Sequence, residues 1–373
     1  MITEKIFCSA PRKQFQALRV EINEAIARVL NSESYILGTE VSSFENEFAA
    51  YVGTHYCVGV NSGTDALTLS LRALGIKSGD EVLTPSHTAV ATVAAIITCG
   101  ATPVFVDVNP DSYTLDPELA EAAITSKTRA IIAVHLYGHP CDMDALVELT
   151  ERSGIYLVED CAQAHGAKWR GRNVGTFGAV GCFSFYPTKN LGCIGDGGAI
   201  VTNDLQLAEK IRGLRQYGWD LDRNSIQQSG VSRLDEIQAA ILRVKLKKLD
   251  ESNTRRRQIA GIYKSLLEGC AVTLPANAEF AEHVFHLYVV QIDARDQVVT
   301  SMNAVQIYPG IHYPVPVHMQ PAYKAFDTSR ARGLKSTEIL ASRILSLPMY
   351  PELSESEIER IVEGIKNVRS GSL

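Results

Sequence analysis

Positive charge is in deficit. Lys and Arg number 36 against 42 Asp and Glu, a formal net charge of −6, so the chain has no overall field to gather nucleic acid or anionic lipid. Long apolar runs are also missing. The nearest approach, residues 89–106, is broken by Thr92, Thr98, Gly100 and Pro103 and stops at Asp107, which reads as a buried helix, a turn and a strand rather than a membrane span. The opening residues lack the basic start, apolar middle and small-residue cleavage site of an export signal, so a cytoplasmic address is expected. The eight cysteines include no Cys-x-x-Cys pair and sit among apolar or small neighbours, as reduced core thiols do; neither a disulfide framework nor a metal is expected. There is no repeat and no low-complexity segment.

What is present is a globular composition, 46% hydrophobic and 21% charged over 373 residues, enough for two or three domains around at least one large core. Two amphipathic helices, residues 15–30 and 41–51, form a lead-in. Apolar strands near 56–60, 81–84, 103–107, 129–134 and 155–159 then alternate with helical segments, which predicts an α/β fold with a mainly parallel sheet covered on both faces. Glycine-rich strands follow near 181–186 and 199–202. A long helical pattern over 234–267 reads as a bridge between domains, with Arg255, Arg256 and Arg257 on a solvated face. Beyond it come strands near 284–292 and 307–313 and helices near 336–345 and 355–369. The expected division is a large domain, 1–245, and a small C-terminal α+β domain, 246–373.

Parallel sheets place ligands at the carboxyl ends of their strands, so the residues just after each strand carry the functional reading. Asn61 to Ala66 follows one strand and opens a helix, where backbone N–H groups and the helix dipole favour a phosphate. Glu159 and Asp160 end a buried strand, and Lys189 follows another in a glycine-rich surround. Taken singly, these are an N-cap, a capping acid and a solvated lysine. In this order they match the three needs of pyridoxal phosphate: an anion cradle, a carboxylate for the ring nitrogen, and an amine for the aldehyde. A metal site on His135, His139 and His165 is the remote alternative, and His165 reads as a satisfied core histidine.

Here the chain resembles the DegT/DnrJ/EryC1/StrS sugar aminotransferases, within the aspartate-aminotransferase-like fold. The resemblance runs nearly end to end. It is carried by NSGTDAL (61–67), PSHTAVAT (85–92), VEDCAQAHGA (158–167), SFYPTKNLG (184–192), GDGGAIVTND (195–204), RLDEIQAAIL (233–242), GIHYPVPVHMQPAY (310–323) and SLPMYPELSESEIERI (346–361). It implies that Lys189 forms the Schiff base with pyridoxal 5′-phosphate, Asp160 pairs with the ring nitrogen and Gln163 contacts the ring hydroxyl. Gly63, Thr64 and Ser184 would hold the phosphate and His87 would lie against the ring face, with Tyr313 and His318 on the substrate side. The implied reaction is transfer of an amine from L-glutamate, through the pyridoxamine phosphate form, to a nucleotide-linked keto sugar (dTDP- or UDP-linked) in a homodimer.

Asn190 to Gly192 and Gly195 to Gly198, with the segment 312–318, look more like the family's C3-aminating branch than its C4-aminating one, a resemblance that implies amination at C3. The alternatives are a C4-specific enzyme or a cofactor-binding regulatory protein without turnover. Lys189 argues against the family's dehydratase branch, which carries histidine there. One departure stands out: Val231 occupies a position where the family commonly has an Asn reaching the neighbouring subunit's phosphate. Either Ser232 substitutes, or that phosphate has one donor fewer.

Overall fold

The structure, a computed structural model, describes residues 4–276, 279–326 and 333–367. Seven strands form the central sheet in the order Tyr56–Val60, Gly198–Thr202, Val180–Ser184, Tyr156–Asp160, Thr128–Val134, Glu81–Pro85 and Thr102–Val106. Gly198–Thr202 runs antiparallel to both its neighbours and the other pairings are parallel, so this is the mainly parallel α/β fold expected. Because six strands share one direction, Asn61, Ser86, His135, Asp160 and the residues after Ser184 all emerge at one edge.

Helices cover both faces, and several begin where a short polar side chain caps them. Ser62 Oγ accepts from Asp65 N–H at 3.1 Å, Asp116 Oδ1 accepts from Glu118 N–H and Leu119 N–H, and Asp142 and Asp204 cap two more helices. On one face Leu67 and Leu71 pack over Val58, Ile132 and Ile200. On the other, Phe44 and Phe48 of the helix Thr39–Val52 meet Phe183 and Phe185, the Phe48 ring standing edge-on to each at 5.0 and 5.4 Å.

The pattern over 234–267 is two helices, Glu236–Leu246 and Leu249–Leu267, rather than one. The first packs on the lead-in helices and the second reaches the C-terminal core, and Asp250 and Glu251 in the first turn favour a new N-terminus there. The arginine triplet corrects the solvated reading. Arg256 is buried at 5% exposure, and its guanidinium donates to the carbonyls of Phe285, His286 and Met349. Beyond it, Tyr288–Gln291 pairs antiparallel with Ile344–Leu347 over Tyr263, Met302 and Ile361. A helix at Arg295–Ala304 went unread in the sequence, and the helix near 336–345 ends at Arg343 where that strand begins.

Ile6–Phe7 pairs in parallel with Ile307–Tyr308, tying the start of the chain to the C-terminal part. Asp107, just past its strand, accepts from Ser336 N–H, Thr337 N–H and the Thr337 hydroxyl, which docks the helix Lys335–Arg343 on the large sheet. Among the described residues, no helix is long and apolar enough to cross a membrane.

Candidate active site

The residues expected to hold phosphate converge first. A Cβ on Gly63 would stand 2.6 Å from Ser184 Cβ, and one on Gly198 would stand 2.4 Å from the Ser62 carbonyl carbon, so glycine at both positions lets three strand ends close on one turn. Within that turn the N–H groups of Asp65 and Ala66 are taken by Ser62. Gly63 and Thr64 N–H, at the positive end of the helix Gly63–Ala73, have no partner inside the helix, and the Ser184 hydroxyl lies beside them. Ser232 also faces this turn, accepting from Asn61 N–H at 3.2 Å and donating to Asp65 Oδ2 at 2.7 Å. Its single proton is therefore committed to Asp65. Val231 beside it is 46% exposed.

Asp160 is enclosed at 6% exposure. Its Oδ1 accepts from Ala162 N–H at 3.1 Å and its Oδ2 from the Thr92 hydroxyl at 2.9 Å; Thr88 Oγ1 lies 2.9 Å beyond Thr92 Oγ1. Burial raises the carboxyl above its ordinary range, opposed by those two donors and by the Lys189 ammonium. Burial likewise lowers Lys189 to about 8, with Asp160 pulling the other way. Both shifts follow from desolvation, which disfavours either charge in this setting. An amine that is partly neutral near pH 8, facing a carboxylate, suits a nucleophile that must also carry a proton.

The third cluster joins His87, Gln163 and Tyr313 through a residue the sequence reading passed over, Tyr137. Gln163 Oε1 accepts from Tyr137 N–H at 2.7 Å and its Nε2 donates to the Tyr313 hydroxyl at 3.1 Å. His87 Nε2 lies 2.8 Å from the Tyr137 hydroxyl, which in turn donates to the His312 carbonyl. Burial lowers His87 to about 4, so the ring is neutral. His318, in the turn Val317–Met319, meets the residue before His87, its Nδ1 2.7 Å from Ser86 Oγ and its Nε2 3.4 Å from Glu338 Oε1. Tyr137 follows the strand Thr128–Val134, so the same attention to strand ends could have found it.

The histidines of the metal alternative go separate ways. His135 Nε2 donates to Glu159 Oε2 at 3.1 Å and its Nδ1 accepts from Cys141 N–H, while Glu159 also takes the N–H groups of Gly175, Phe177 and Gly178. His135, Glu159 and Cys161 are the cluster of potential metal ligands among the described residues, and the histidine and carboxylate are saturated by these bonds. His139 Nδ1 bonds the Pro140 carbonyl, and His165 packs between the rings of Phe183 and Phe185. The site as a whole fits pyridoxal phosphate: free N–H groups for an anion, a buried carboxylate for a ring nitrogen, and an amine for an aldehyde.

Comparison with known proteins agrees. The model of the DegT/DnrJ/EryC1/StrS aminotransferase family matches residues 16–366. The dTDP-3-amino-3,4,6-trideoxy-alpha-D-glucose transaminase of Streptomyces venezuelae is 50% identical over 354 residues, 94% of this chain and 93% of that protein. A UDP-N-acetyl-3-dehydro-alpha-D-glucosamine 3-aminotransferase of Acidithiobacillus ferrooxidans is 46% identical over 361 residues, 96% of this chain and 97% of that protein. Among solved structures, S. venezuelae DesV in complex with a ketimine intermediate superposes with a TM-score of 0.95 at 48% identity, covering 98% of each chain. NtdA of Bacillus subtilis with bound cofactor PMP superposes at 0.87 and 30% identity, over 95% of this chain and 82% of that one.

Proposed function

Since the chain belongs to the DegT/DnrJ/EryC1/StrS aminotransferase family and is a pyridoxal-phosphate-dependent transaminase, we propose that it aminates C3 of a dTDP- or UDP-linked keto sugar, with L-glutamate as donor. The observation that carries this reading is the Lys189 amine within electrostatic reach of Asp160, at the edge where Gly63 and Thr64 offer their N–H groups. The names of both relatives place their reactions at position 3 of a nucleotide-linked sugar, which supports C3 over C4.

In this reading Gly63, Thr64 and Ser184 bind the phosphate, and Asp160 keeps a proton on the ring nitrogen. His87 would lie against the ring, Gln163 would face the ring hydroxyl, and Tyr313 and His318 would border the sugar. Bound pyridoxal phosphate supplies an electrophilic carbonyl and a protonated ring that accepts the electron pair left on carbon. With the cofactor bound, the Lys189 amine would take the proton from the donor α-carbon and deliver it to the cofactor carbon two atoms along, beyond the shared nitrogen, and the keto sugar would undergo the same transfers in reverse. Thr92 and Ala162 N–H hold the Asp160 carboxylate still meanwhile.

The test is to offer matched 3-keto and 4-keto nucleotide sugars with glutamate and to locate the new C–N bond by NMR. Amination confined to C4 defeats the C3 assignment, and no amination of either sugar defeats the substrate class. We also propose a cytoplasmic homodimer, with residues 1–245 and 246–373 as its large and small domains. The exposed apolar side chains of Tyr217, Leu221, Ile226 and Val231 on one segment support a partner there.

A further inference from the structure

We propose that Tyr137 is a positioning residue: it holds His87 as the tautomer protonated on Nε2 and so presents Nδ1 as a bare hydrogen-bond acceptor inside the site. This rests on the reading of the site given above, because the acceptor matters only if cofactor and substrate bind beside it.

The argument is a count of protons. A tyrosine hydroxyl has one hydrogen and lone pairs to accept others. The Tyr137 hydroxyl bonds two groups, the His312 carbonyl and His87 Nε2. The carbonyl can only accept, so the hydroxyl proton goes there. Toward His87 the same oxygen can then only accept, and the hydrogen across that 2.8 Å contact must sit on Nε2. Turning the hydroxyl round would bring two oxygens together with no proton between them. The neutral ring has one N–H, now placed, so Nδ1 is a lone pair. Nδ1 has no hydrogen-bond partner, and His87 is 1% exposed.

The backbone of Tyr137 is held as firmly as its ring. With φ at 61° it occupies the left-handed region, uncommon outside glycine. Its N–H binds Gln163 Oε1 at 2.7 Å, its carbonyl accepts from Leu287 N–H at 3.3 Å, and its ring packs on Tyr113 with centroids 5.4 Å apart. One residue thereby sets the side chains at two strand ends, His87 and Gln163, and ties both to the His312 to Tyr313 segment. A buried acceptor left unpaired is costly, and the ligand class that relieves it carries an O–H or N–H donor.

The experiment is long-range proton–nitrogen correlation NMR on cofactor-loaded protein with nitrogen-15 in its histidines. His87 is assigned by the signals lost in His87→Asn. Wild type is expected to show His87 with Nε2 protonated and Nδ1 bare. In Tyr137→Phe, which keeps the ring and loses the acceptor, a mixture of both tautomers is expected, with the Gln163 contact to the main chain retained. Nδ1-protonated His87 in wild type overturns the proposal, as does an unaltered Nε2–H tautomer in Tyr137→Phe. The wild-type spectrum decides even if the variant does not fold. Adding glutamate to the same wild-type sample and following the visible absorbance of the bound cofactor tests the transaminase reading separately: no bleaching counts against that reading and leaves the tautomer result standing.

Discussion

Replacing Asp160 with Asn changes charge while nearly preserving shape. Ala162 N–H, 3.1 Å away, keeps an oxygen to bind. On the other side the new amide faces Thr92 Oγ1, whose hydroxyl has been donating at 2.9 Å, so Thr92 must turn round and Thr88, 2.9 Å further on, must turn with it. Rearranging one such hydroxyl pair costs about 1 kcal/mol, a fall of a few degrees at most in Tm for a chain this long. The chemical loss is far larger. A hydrogen bond from a protonated ring nitrogen to an ionised carboxylate is roughly twice as strong as one to a neutral amide, and removing one preorganised electrostatic partner from an enclosed site costs about 10²- to 10³-fold in rate. The assay is the half-reaction with glutamate, followed by stopped-flow loss of the bound cofactor's visible absorbance in samples of matched cofactor content. The expected result is a fold intact by thermal melting and a rate down by about two orders of magnitude or more. A rate within a few-fold of wild type would remove Asp160 from its role.

Lys189→Met should abolish turnover in steady-state assays with glutamate and keto sugar. The same variant tests the amine's pKa: burial lowers Lys189 from 10.5 to about 8, so between those values this group binds more protons in the unfolded apoprotein and its own contribution to stability rises with pH, against the buried thiols, whose raised values make the folded chain hold its protons longer. In apoprotein melting from pH 8 to 10, wild type should therefore gain stability relative to Lys189→Met as pH rises, the thiols and the similarly lowered Lys245 contributing equally to both proteins. Val231→Asn should restore a phosphate donor and tighten cofactor binding by about 2- to 10-fold, one hydrogen bond's worth, as read by equilibrium dialysis; unchanged affinity means the side chain does not reach the phosphate. Solution scattering at assay concentration should return a dimer, and a fully active monomer contradicts it.

The sheet was legible because each of its strands is a short apolar run ended by a polar or small residue, and that same punctuation marks the edge where Asp160 and Lys189 stand. What escaped were relations between distant segments. Tyr137 acquires its role only when the register of the parallel strands sets it beside His87 and when His312, far along the chain, arrives above it. Its place after a strand marks Tyr137 as a candidate, but no local pattern encodes that meeting. Arg256 is different, since its burial was available in the sequence. Asn253, Arg256, Ile259, Ala260, Tyr263 and Leu267 repeat at helical spacing, so an arginine in that stripe faces inward whatever its neighbours carry. Reading three arginines as one charge run ignored that successive residues on a helix point to different sides.

The pairing of Ile6–Phe7 with Ile307–Tyr308 bears on how the chain is made. A ribosome adding about 5–20 residues per second needs roughly 15–60 s to pass from one strand to its partner. By then every strand of the large sheet has left the exit tunnel and can close on its own helices. Ile6 and Phe7 thus wait for a partner strand made long after them, and Arg256 waits for the Met349 carbonyl, made later still. Until residues 307–349 have been made, Ile6 and Phe7 have no strand to pair with and the Arg256 guanidinium lacks one of its three carbonyls, so the two parts of the fold are completed together.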